Sequence, residues 1–125
     1  LSLTSRAFHN DIYGPYCKFI TEFFGYEMVL PMNTGVEGGE SAVKICRKWG
    51  YEKKGIPVDQ AKVVFANSNF WGRSIAALSS SSDPSCRHNF GPYTPGFPLI
   101  DYNNLDVLKQ LLESDPTVHG HTPKL

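Results

Sequence analysis

Residues 62–66, Lys62-Val63-Val64-Phe65-Ala66, set β-branched and aromatic side chains next to one another without polar alternation. Such a run predicts a strand buried on both faces, as happens in parallel sheets covered by helices. Helical patterns lie on both sides of it. Tyr16, Phe19, Ile20, Phe23 and Phe24 recur at helical spacing and Gly25 follows, which predicts a helix over 11–24 with a buried aromatic face. A second helix is predicted over 37–50, its inner face carrying Ala42, Ile45, Cys46 and Trp49. Short strands are predicted at 28–32 and 99–102, a short helix at 74–79, and an irregular ordered loop over 80–98. Asn104 caps a last helix whose face carries Leu105, Leu108, Leu111 and Leu112. The alternation of helix and strand predicts an α/β fold with a mostly parallel sheet and flanking helices.

The 125 residues fit one domain, and an apolar share of 41% is ample for a core. Twelve basic residues balance twelve acidic ones, so no charge footprint for nucleic acid or an anionic membrane is present. No apolar run reaches membrane-spanning length. Cys17, Cys46 and Cys86 are odd in number and far apart, which suits free thiols in a reducing compartment better than a disulfide scaffold. Cys46 is expected in the core. His119 and His121 lack a third ligand nearby, so no metal is expected.

Two polar turns follow predicted strands: Asn33-Thr34-Gly35-Val36-Glu37 and Asn67-Ser68-Asn69-Phe70-Trp71-Gly72-Arg73. Ligands of parallel sheets bind at the C-terminal strand ends, where both turns fall. The start of the second helix offers unpaired N–H groups and partial positive charge, worth about 0.3–1 kcal/mol toward an anion. Gly35 admits close approach, and Thr34 adds a hydroxyl. The other reading is plain punctuation, with Glu37 and Glu40 complementing the helix dipole; those carboxylates would repel an anion unless they point away. On the residues alone both readings stay open. Phe70 and Trp71 suit either ring stacking or a plug under a loop, and Arg73 either a carboxylate clamp or a solvated cation.

Five blocks carry a resemblance: Leu3-Thr4-Ser5-Arg6-Ala7-Phe8, Val29 to Glu37 through Pro31-Met32-Asn33, Arg47-Lys48-Trp49-Gly50-Tyr51, Asn69 to Arg73, and Phe90-Gly91-Pro92-Tyr93-Thr94-Pro95-Gly96-Phe97. In this order they resemble the ornithine aminotransferases, class III, fold-type I transaminases dependent on pyridoxal 5'-phosphate. The resemblance spans residues 1–118 and implies part of the family's large, cofactor-binding domain. Residues 119–125 diverge and are expected to be a disordered tail. The resemblance further implies that Gly35 and Val36 give backbone N–H groups to the cofactor phosphate with Thr34 beside them. Phe70 would stack on the pyridine ring, Trp71 line the substrate pocket and Arg73 bind a substrate carboxylate. The reaction implied moves the δ-amino group of ornithine to 2-oxoglutarate in a homo-oligomer, in the mitochondrial matrix or, as the alternative, the cytoplasm.

The lysine with which the family forms its Schiff base has no counterpart here, and the first residue is Leu1. The chain therefore reads as a fragment or truncated product whose isolated form is expected to be inactive. Two alternatives accompany this reading. One is a fragment of a class III transaminase for acetylornithine or 4-aminobutyrate. The other is a non-catalytic truncation that binds a phosphate ligand or pairs with intact subunits.

Overall fold

A computed structural model describes residues 8–119 and divides them between two compact units, split after Pro31. The first unit holds helix α1, Tyr13–Phe24. Gly25 ends it in the left-handed conformation (φ 72°), where glycine is least strained. The aromatic face expected to be buried is exposed: Phe19 and Phe23 keep 61% and 69% of their accessible surface. Their rings stack on each other at 5.8 Å, and Phe23 meets Phe24 edge-on at 4.9 Å. Residues 28–31 carry no regular secondary structure and join no ladder, so the strand expected over 28–32 does not form. A strand exists by its ladder, and among the described residues no backbone hydrogen bond reaches this segment.

The second unit begins with helix α2, Gly35–Glu52. It starts two residues earlier than the sequence predicts because Thr34 and Glu37 form a reciprocal capping box. The face turned to the rest of the unit also differs. Ala42 is exposed, and Ile45 and Trp49 remain 57% and 42% exposed. Val36, Gly39, Val43, Cys46 and Gly50 make the inner stripe instead. Small residues on that stripe let neighbours approach closely: a Cβ on Gly50 would meet Ile56 at 3.1 Å. Cys46 is half-buried rather than core, and its burial pushes the thiol pKa up.

The track 62–66 forms two short strands, β1 (Lys62–Val63) and β2 (Phe65–Ala66). After α3 (Ile75–Ser79), α4 (Pro84–Arg87), β3 (Leu99–Ile100) and α5 (Leu105–Ser114), the described chain closes with β4 (Val118–His119). β2 pairs parallel with β3, and β1 pairs parallel with β4. Backbone N–H groups of Val63, Phe65 and Asn67 reach Gly96, Pro98 and Ile100, while Lys62 turns the other way to Thr117. The track therefore runs between its two partners, as a parallel α/β sheet requires. Its side chains are half-buried rather than fully buried, because the ladders are two residues long and leave part of the sheet faces open. The core consists of Ile56, Ala61, Ala77, Leu78 and Val118, with Ser80 fully buried beside it.

Within the loop 80–98, Asp83 caps α4, and its carboxyl pKa is lowered by the Ser85 hydroxyl and amide. Arg87 then donates to the carbonyls of Ser79 and Ser81 and covers the Tyr93 ring at 4.3 Å, which orders the segment. The tail expected to be disordered lies outside the described residues beyond His119. No helix among the described residues is long and apolar enough to cross a membrane.

Candidate functional site

The capping box decides which donors at the α2 N-terminus are open. Thr34 Oγ1 accepts the Glu37 N–H at 3.2 Å. Glu37 Oε2 folds back onto the amides of Asn33 (2.9 Å) and Thr34 (3.0 Å), and the Gly38 N–H reaches the Thr34 carbonyl at 3.1 Å. Among the described residues the N–H groups of Gly35 and Val36 have no acceptor. A Cβ on Gly35 would meet nothing within 4 Å, so open space adjoins these donors. Two unpartnered amides at the positive end of an 18-residue helix are the chemistry that favours a negative group. Glu37, which could have opposed an anion, instead anchors the two preceding amides.

The second turn arrives at the same helix end. Asn67 leaves β2 with its N–H on the Ile100 carbonyl and its side-chain amide on Asp101 at 2.7 Å. Ser68 takes a left-handed φ of 60°, and its N–H meets Ser82 Oγ at 2.6 Å. Asn69 Nδ2 donates to the Ala66 and Ser80 carbonyls, and its buried Oδ1 has no partner among the described residues. Trp71 lies flat on Phe65, ring centroids 5.5 Å apart and planes 9° apart, and its indole N–H reaches Ser80 Oγ at 2.7 Å. The indole also fits against Gly39 of α2, where a Cβ would stand 2.6 Å from Cε3. Gly72 presses on Val36, where a Cβ would stand 2.3 Å from Cγ2.

Of the six residues singled out in the sequence, four meet at the start of α2 (Thr34, Gly35 and Val36 within it and Trp71 packed on Gly39), while Phe70 and Arg73 flank the Trp71–Gly72 contact along the chain. Phe70 is 69% exposed and holds its ring open. Arg73 is exposed, and among the described residues its guanidinium has no hydrogen-bond or ion-pair partner. Trp71 is half-buried, anchored by its stack and its hydrogen bond. Gly39, Gly72, Asn69 and Ser80, which hold this arrangement together, escape a sequence reading. Only the Asn-rich turn hints at Asn69; nothing in the sequence marks Ser80.

A cleft of about 550 Å³ lined by Arg47, Tyr51, Lys62, Gly96 and Asp115 lies at the opposite, N-terminal strand ends. Parallel sheets do not place their ligands there. The gathered turns are the better candidate on chemistry, although they do not form the larger hollow.

Comparison with known proteins agrees with this geometry. The family described as aminotransferase class-III matches residues 1–119. Mitochondrial ornithine aminotransferase of Drosophila melanogaster is 56% identical over 118 residues, covering 94% of this chain and 27% of that protein. An ornithine aminotransferase structure from Toxoplasma gondii superposes with a TM-score of 0.88 at 59% identity, covering 93% of this chain and 27% of that one. Partial occupancy of PLP is described at its active site. An acetylornithine aminotransferase structure from Elizabethkingia anophelis gives a TM-score of 0.67 at 36% identity over 94% of this chain and 24% of that one. The chain spans about a quarter of the length of these relatives. Class III aminotransferases depend on pyridoxal phosphate. With its parallel strands, its helix-end turn and its match across 119 residues, the chain belongs to the class-III aminotransferase family.

Proposed function

We propose that this segment supplies one wall of the cofactor and substrate site of an ornithine aminotransferase. In this reading the amides of Gly35 and Val36 hold the phosphate of pyridoxal 5'-phosphate, and the Thr34 hydroxyl proton adds a third donor. The exposed Phe70 ring covers one face of the pyridine. Trp71 borders the substrate side of the hollow and Arg73 receives a substrate carboxylate in bidentate fashion. When bound, the cofactor supplies the electron sink for moving an amino group between ornithine and 2-oxoglutarate. This chain's residues bind, orient and shield it. The observation that carries the reading is the pair of unpartnered amides beside open space, with the Phe70–Arg73 turn packed on the same helix turn.

The residues fit the group in sign as well as in shape. The seat is built from donors, and the nearest carboxylate, Glu37, is held by two backbone amides. Ornithine is preferred over acetylornithine because, over the matched segment, the Drosophila and Toxoplasma ornithine enzymes are 56% and 59% identical to this chain against 36% for the Elizabethkingia acetylornithine enzyme. A mitochondrial matrix location and a homo-oligomeric state extend the same reading; the Drosophila relative's name supports the first of these.

The test is made in a class-III aminotransferase of full family length carrying this segment. Visible circular dichroism of bound pyridoxal phosphate and ornithine-dependent glutamate formation are both expected. Absence of the dichroic band, or activity only with acetylornithine, would refute the reading.

A further inference from the structure

We infer that Arg47 is a positioning residue for the Phe70–Arg73 turn, acting through the ring series Phe97, Phe65 and Trp71. Arg47 leaves the same helix that presents the open amides, two turns beyond Gly39. Its Nη2 donates to the Pro95 carbonyl at 2.6 Å, and its guanidinium carbon lies 4.8 Å from the centre of the Phe97 ring. Gly96, between those two contacts, has φ 86°, and a Cβ there would stand 3.1 Å from Nη2. A side chain at this position would crowd the guanidinium and, at 3.0 Å, the Ala61 carbonyl oxygen. Arg47 Nε is buried and has no acceptor among the described residues, where one carbonyl and one aromatic face fix this group rather than a full set of hydrogen bonds.

Phe97 meets Phe65 edge-on at 5.4 Å, and Phe65 stacks on Trp71 at 5.5 Å. Trp71 in turn abuts Gly39. The ring series is thus tied to α2 at both ends, to Arg47 at one and to Gly39 at the other. Eight residues of helix put these ties about 12 Å apart along the axis, a span that three packed rings bridge. Helix and ring series form a closed frame. Trp71 cannot shift relative to the α2 N-terminus without disturbing Arg47, and Phe70 and Arg73 move with Trp71. Freeing Phe97 from Arg47 opens the frame at the end remote from the site.

The consequences for cofactor and substrate rest on the proposed function; the consequence for the turn itself does not. In a class-III aminotransferase of full family length carrying this segment, Arg47→Met keeps the stem and removes charge and donors, Arg47→Lys keeps charge, and Phe97→Leu cuts the series beyond an intact Arg47. In cofactor-free protein, Arg47→Met and Phe97→Leu are expected to speed amide hydrogen exchange over 67–73 by on the order of ten-fold. With pyridoxal phosphate added, both should alter the visible dichroic band and raise KM for the carboxylate substrate more than they lower kcat. Arg47→Lys should recover part of each change. Lowered thermal stability with exchange over 67–73, dichroism and KM all as in the unaltered protein would overturn the inference. Should Arg47→Met not fold, Phe97→Leu and Arg47→Lys decide it by the same readouts. Loss of the band from the unaltered protein would sink the proposed function, while the exchange measurement would still judge the frame.

Discussion

Gly72 lies against Val36 so closely that a Cβ would stand 2.3 Å from Val36 Cγ2 and 2.8 Å from its Cβ. Backbone on one side and a stiff β-branched side chain on the other leave little that can yield. Gly72→Ala should therefore push the Phe70–Arg73 turn away from the start of α2. A loss of about 1–3 kcal/mol, typical of overpacking, is expected in urea unfolding. Adding Val36→Ala removes Cγ2 and should restore part of the loss. Equal stability of Gly72→Ala and the unaltered protein would show that the turn relaxes freely.

Gly35→Pro isolates one donor. Gly35 is the first residue of α2, where proline is favoured and its missing N–H breaks no helical bond. Thr34 already has the extended conformation that proline demands of its predecessor (φ −136°, ψ 162°), and a Cβ at position 35 meets no neighbour. The variant should keep its helix content and thermal midpoint. Losing one charge-assisted hydrogen bond should weaken pyridoxal phosphate binding by about ten- to a hundred-fold, read by titration of the visible band. Undiminished affinity would remove the phosphate from this helix end.

Arg73→Lys keeps the charge and removes the planar fork. If Arg73 clamps a carboxylate bidentately, KM for the amino-acid substrate should rise by roughly ten-fold or more, with cofactor affinity unchanged. Steady-state kinetics with ornithine decides this, and an unchanged KM assigns the carboxylate to another residue.

Asp115 links stability to acid. The Lys62 ammonium (2.7 Å) and the hydroxyl and amide of Thr117 hold its carboxyl down to about 2 from an ordinary 3.8. Because the folded-state value is the lower one, the ionised carboxylate favours the folded state above about pH 4, and this contribution is lost as pH falls toward about 2. The urea midpoint of the unaltered protein should exceed that of Asp115→Asn near neutral pH, and the gap should close over that acid range. A gap that stays constant through it would show that the contacts do not hold in solution.

What was legible in the sequence follows a physical divide. The 62–66 track, the cap at Asn104 and the two polar turns were readable because local chemistry decides them. The α2 inner face was misread because periodicity weighs apolar bulk, and at Gly39 and Gly50 contact depends on the lack of it. Strand 28–32 and the aromatic face of α1 were misplaced because pattern shows that a surface can be buried without showing what lies against it. The packing of the second polar turn on the start of α2 goes beyond the pattern, which placed each turn only at the end of a predicted strand. Its means, Gly72 on Val36 and Trp71 on Gly39, are contacts between residues far apart in the chain.

The capping box gives the helix start a further property. Glu37 and Thr34 stitch the first turn together through the amides of Asn33, Thr34 and Glu37 and, among the described residues, leave those of Gly35 and Val36 open. If this helix end holds the cofactor phosphate as proposed, its two open amides stand ready before the guest arrives. Capture then demands no folding of the loop, and departure of the guest leaves the cradle intact for the next occupant.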